Sequence, residues 1–104
     1  MAAPYNPPVK NEDFITYVSL GSVASSSIAK ANPTLHADDF NVSKDGGAMA
    51  ALGTTPTVTP AAGKLVKITL SAAEMNADNV SVVCSDVTDP PEWADLVFSI
   101  PTTA

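Results

Sequence analysis

Hydrophobic positions in this chain alternate with polar ones over short stretches. Phe14, Thr16, Val18 and Leu20 fall in one phase, with Ile15, Tyr17 and Ser19 in the other. A period of two belongs to a β-strand. Gly21 ends that run. Residues 22–30 are small and polar with Val23 and Ile28 embedded, and predict a weak second strand. Asn32 and Pro33 mark a turn. Residues 39–44 alternate again, with Phe40 and Val42 inward. Asp45-Gly46-Gly47 follows as a hairpin turn, because glycine tolerates positive φ. Residues 48–52 form the returning strand. Residues 53–63 hold Pro56 and Pro60, which confine any strand there to a sheet edge.

The clearest strand is 64–70, with Val66, Ile68 and Leu70 on one face and Lys67 and Thr69 on the other. Ser71-Ala72-Ala73-Glu74 is a capping box, so a short helical turn is expected over 72–77. Val80, Val82 and Cys84 then alternate. Asp89-Pro90-Pro91 forces a turn. Trp93 enters the last strand, where Ala94, Leu96, Phe98 and Ile100 share a face and Pro101 closes it. About seven short strands with closely spaced turn signals predict an antiparallel sandwich. The strand ending at Leu70, the short crossing and the strand ending on Cys84 follow the last crossing of immunoglobulin-type domains. The Tyr usual two residues before that Cys is Val82 here, and the partner Cys is missing. The expected fold is therefore an all-β, immunoglobulin-like antiparallel sandwich of about seven strands with one short helical turn.

Residues 1–12 read as an extended proline-rich arm ahead of a single sandwich domain over 13–104. Pro4, Pro7 and Pro8 remove amide donors and push their neighbours towards polyproline geometry. Tyr5 and Val9 provide side chains to dock with. Pro4, Tyr5, Pro7, Pro8 and Val9 are thus the expected partner-binding residues, with a frayed terminus as the competing reading.

Composition narrows the function. At 104 residues the chain is one domain. With 45% hydrophobic and only 15% charged residues it is too apolar to be disordered. Five basic residues, all Lys, stand against eleven acidic ones, a net charge of −6. Such a chain is repelled by nucleic acid and by anionic lipid, so neither is an expected partner. The single Cys permits no internal disulfide. The first residues lack the basic and apolar regions of a signal peptide, which predicts folding in a cytosol. No apolar run approaches the roughly 20 residues of a membrane-spanning helix.

Candidate chemistry is sparse. His36 lies near Asp38 and Asp39, the minimum for a base oriented by a carboxylate, yet a lone His without a placed nucleophile makes no triad. Cys84 shares the phase of Val80 and Val82 and reads as a buried apolar residue. Asp86, Asp89 and Glu92 could offer oxygens to a hard cation, but their spacing matches no loop of fixed ligand geometry. Residues 43–47 lack the strand–loop–helix frame of a phosphate cradle. Trp93 is either core or an exposed anchor. No catalytic residue, metal site or cofactor is expected, and the chain reads as a non-enzyme.

Four strings resemble small virion-associated proteins of tailed bacteriophages and prophages, nearly end to end. They are Met1-Ala2-Ala3-Pro4-Tyr5-Asn6-Pro7-Pro8-Val9-Lys10, Asp39-Phe40-Asn41-Val42-Ser43-Lys44-Asp45-Gly46-Gly47, Pro56-Thr57-Val58-Thr59-Pro60-Ala61-Ala62-Gly63-Lys64 and Leu70-Ser71-Ala72-Ala73-Glu74-Met75-Asn76-Ala77-Asp78-Asn79-Val80. The resemblance implies a virion structural protein, made in the bacterial host cytoplasm and docked on capsid, neck or tail subunits. A head decoration (cement) or fibre-anchoring protein is the leading form. A tail or baseplate module binding host-surface carbohydrate, and a small intracellular host-directed inhibitor, are the alternatives. Edge strands and the arm permit a homo-oligomer, and equally a monomer.

Overall fold

The computed structural model describes residues 8–23, 28–60, 63–87 and 91–103. The strands are β1 (Phe14–Val18), β2 (Phe40–Lys44), β3 (Ala50–Ala51), β4 (Thr57–Val58), β5 (Val66–Leu70), β6 (Asn79–Cys84) and β7 (Leu96–Pro101), with a single 3-10 turn at Ala37–Asp39 before β2. They form two antiparallel sheets in the orders β1-β5-β4 and β3-β2-β6-β7. In immunoglobulin lettering these read B-E-D and C′-C-F-G. The fold is the all-β, immunoglobulin-like sandwich that the alternation predicts.

The core fills from both inner faces. Val66, Ile68 and Leu70 of β5 meet Phe40 and Val42 of β2 and Val80, Val82 and Cys84 of β6, all buried in one cluster. Each such side chain contributes about 1.5–3 kcal/mol by leaving water. Trp93 closes one end of this cluster. It stacks on Phe40 with ring centroids 5.8 Å apart, and its indole N–H donates to the Thr34 carbonyl. Phe40 itself stands opposite Cys84 across β2 and β6. Trp93 is core, and Phe40, Cys84 and Trp93 occupy the region where antibody domains place a disulfide and a tryptophan.

Several expected elements are shorter than the alternation suggests, each for a local reason. The described residues of 22–30 form no ladder. Isolated bridges, Gly21 to Ala29 and Ser22 to Trp93, hold the described part of that segment, along with single backbone hydrogen bonds such as Ser22 N–H to the Ile28 carbonyl and Val23 N–H to the Glu92 carbonyl. Its two large apolar residues, Val23 and Ile28, are both exposed, so a strand there would gain no burial. The return after the hairpin is a strand only at Ala50–Ala51, although Leu52 is buried beyond it. The last strand begins at Leu96 rather than at Trp93, and Ala94 is exposed. The capping box forms as expected. Ser71 N–H donates to Glu74 Oε1, and Glu74 N–H donates to Ser71 Oγ. It caps a single turn, because β6 starts at Asn79 and Met75 is already pulled into the core.

The hairpin chemistry at 45–47 is realised too. Asp45 and Gly46 both have positive φ, 52° and 77°, as a twisted two-strand connection requires. The Asp45 carboxylate also accepts the Asn79 amide at 2.9 Å, which ties this turn to the start of β6.

Candidate functional site

The residues that hinted at chemistry are consumed by structure. Asp39 is completely buried. Its carboxylate accepts the His36 backbone N–H at 2.9 Å and the Val87 N–H at 3.0 Å. The exposed His36 ring places Nδ1 3.6 Å from the same carboxylate, so the imidazole rests beside a group already committed to two amides. Cys84 is fully buried, and burial pushes its thiol up to about 12. A thiol so far from ionising is no nucleophile at neutral pH.

The acidic loop is equally committed. Asp86 accepts the Glu92 N–H at 2.6 Å, and Glu92 accepts the Thr34 N–H at 2.9 Å. Asp89 lies outside the described residues. Elsewhere Glu74 accepts Gly53 N–H as well as Ser71 N–H, and Asp13 accepts Ala72 N–H. Asp95 accepts the Ser85 hydroxyl. The excess of acid is therefore spent largely on stapling loops through backbone donors. Among the described residues no group of three His, Cys, Asp or Glu side chains is arranged to hold a metal. Among them also, no helix is long and apolar enough to cross a membrane.

Of the five residues expected to bind a partner, Pro4, Tyr5 and Pro7 lie outside the described residues. Pro8 and Val9 are on the body of the domain. Val9 forms a parallel bridge with Thr103. Thr103 N–H donates to the Pro8 carbonyl at 2.9 Å, and Lys10 N–H donates to the Thr103 carbonyl at 2.8 Å. Asn11, at φ 64°, turns the chain, and its N–H reaches the Met75 carbonyl at 3.0 Å. Residues 8–12 are thus a clamp held to Thr103 and to Met75. An exposed ion pair, Lys10 to Asp78 at 3.1 Å, adds little to it.

The clamp's ladder lacks the hydrogen bonds for its next rung towards β7. Its next rung would need hydrogens on the Pro8 and Pro101 nitrogens, and proline has none. Sequence reading found the prolines of the arm but not Thr103, which lies about ninety residues away. The paired prolines 8 and 101 are the only trace of that contact in the sequence.

The outer faces of the sheets differ in charge. On the three-stranded sheet Lys67 stands between Tyr17 and Thr57. On the four-stranded sheet one row runs Ala51, Asn41, Val83, Val97, and the next runs Ser43, Ser81, Ser99. Neither row contains a charged residue, and Val97 is 61% exposed.

No protein-family model matches the chain, and no curated protein or solved structure matches it either.

Proposed function

We propose that this chain is a non-enzymatic structural component of a tailed-phage particle. It is a head decoration or fibre-anchoring module that grips a neighbouring virion protein through residues 1–9. The observation that carries this reading is the clamp at residues 8–12. An arm can dock productively when its root is fixed, because fixing the root reduces the entropy lost on binding. The prolines at 8 and 101 remove both hydrogen bonds of the next rung at the arm's root. The commitment of Asp39, Cys84, Asp86 and Glu92 to internal contacts favours a surface role over a catalytic one. Many identical copies on a symmetric particle need only modest affinity each.

The carbohydrate-binding alternative would rest on exposed aromatics, and Trp93 is unavailable to it, being 1% exposed.

The test is removal of residues 1–7, which spares every bond of the clamp. Thermal unfolding is expected to be unchanged, and association with particles lacking the protein is expected to be lost. A truncated protein that unfolds like the intact one and still associates fully would overturn the arm's role.

A further inference from the structure

The four-stranded sheet has unequal edges. One edge, β3, is two residues long. The other, β7, is six residues long and has no strand beside it among the described residues. Proteins usually blunt a long edge with a charge, an internal proline or a covering segment. From Leu96 to Ile100 β7 carries no charge and no proline.

The direction of its free backbone groups follows from its neighbours. Thr102 N–H donates inward to the Asp78 carbonyl, just before β6, whereas Thr103 uses its N–H and carbonyl on the arm's side. Backbone groups alternate sides along a strand. Val97 and Ser99 therefore point their N–H and C=O groups outward, together with the donorless Pro101. Their side chains lie on the charge-free outer face.

We propose that β7 is a self-association edge, where β7 of a second copy pairs antiparallel about a two-fold axis to make one continuous eight-stranded sheet. The register sets Val97 against Ser99 of the second copy, and Ser99 against its Val97. It uses both outward residues of each strand, forms four main-chain hydrogen bonds and asks no donor of Pro101. It also sets Asp95 opposite Pro101 rather than opposite a second carboxylate. Charge makes this edge the least costly place for a second copy to meet. Each copy carries a net −6, so two copies approach at least cost where neither β7 nor the two adjoining rows of the outer face bear a charge.

The chain's own residues 1–7 are the competing occupant, and proline chemistry disfavours them. Continuing the parallel Val9–Thr103 ladder along β7 needs six hydrogen bonds over the rungs at 101, 99 and 97. Two at the first rung fail for want of a hydrogen on Pro101 and Pro8, and one at the last fails on Pro4. Three of the six are lost. The inference does not depend on the phage assignment.

Edge pairing over five residues buries well under the ~800 Å² per partner of a standard interface, so a dissociation constant of roughly 0.1–1 mM is expected. The test is sedimentation of the full chain from about 10 μM to about 1 mM. The expected result is a concentration-dependent shift to dimer that strengthens with salt, because screening weakens the repulsion of like-charged copies. Val97→Lys and Ser99→Pro, each checked for a native circular-dichroism spectrum, should weaken the dimer at least about tenfold. Tyr17→Lys on the other sheet should not. A chain that stays monomeric at the highest concentration would overturn the proposal. So would dimers that survive both substitutions or dissolve in salt. Dimerisation only after removal of residues 1–7 would assign the edge to the arm instead, and the second copy would be rejected as its occupant.

Discussion

The two sheets bury the same kind of side chain and expose different ones. Inside, β5 offers Val66, Ile68 and Leu70, and β6 offers Val80, Val82 and Cys84, in the same alternating phase. Outside, the three-stranded sheet shows Lys67 between Tyr17 and Thr57, whereas the four-stranded sheet shows only Ala, Asn, Ser and Val in its two central rows. Inner faces answer to packing, which is indifferent to what the protein does. Outer faces answer to water and to partners. In a chain with a net charge of −6, two adjoining rows without charge are the exception, and the self-association proposed for β7 builds on them.

The comparison breaks most severely where the two sheets share a residue. Trp93 stacks on β2, and its backbone bridges Ser22, just beyond β1. Trp93→Ala should cost about 3–5 kcal/mol, read from denaturant midpoints, because the void has little freedom to collapse. A cost under about 1 kcal/mol would mean that the end of the sandwich is not packed as described.

Asp39 sharpens the comparison at one end of the four-stranded sheet alone. Asp39→Ala leaves the amides of His36 and Val87 without their acceptor. A loss of about 2–4 kcal/mol is expected. Hydrogen exchange should rise first at those two amides, while the amides of β1 and β5 stay protected.

The smallest effect concerns the inner face of β6. With its native thiol pushed up to about 12, Cys84 stays neutral after an unfolded thiol, titrating near about 8.5, has ionised. Its stabilising contribution is full below that lower value and declines as pH rises towards the upper one. Between pH 8 and 10 the wild type should lose on the order of 1–2 kcal/mol more stability than Cys84→Ala does. Equal losses in the two proteins would contradict the burial of the thiol.

Much of this architecture is legible in the sequence, because period-two alternation maps directly onto inward and outward faces. β5, β6 and the capping box at Ser71 and Glu74 are the plain cases. The segment 22–30 misleads because alternation over small polar residues supplies no apolar surface to bury. Asp39 is hidden for a different reason. Its phase marks it as outward-facing, yet the 3-10 turn swings it inward, where it meets an amide 48 residues later. The clamp between Pro8 and Thr103 joins the two ends of the chain, and no local pattern encodes such a pairing. The charge-free outer face emerges only once the register aligns Asn41, Val83 and Val97, none of which stands out alone.

The central claim is that this chain works as a particle component. Its most direct test is peptide mass spectrometry of phage particles purified from bacteria that carry its gene, with copy number taken relative to the major capsid protein. The account predicts that the protein is present, in a fixed ratio: near one per capsid subunit or capsomer for a decoration protein, or a few to a dozen copies per particle for a fibre anchor. Absence from purified particles would contradict it.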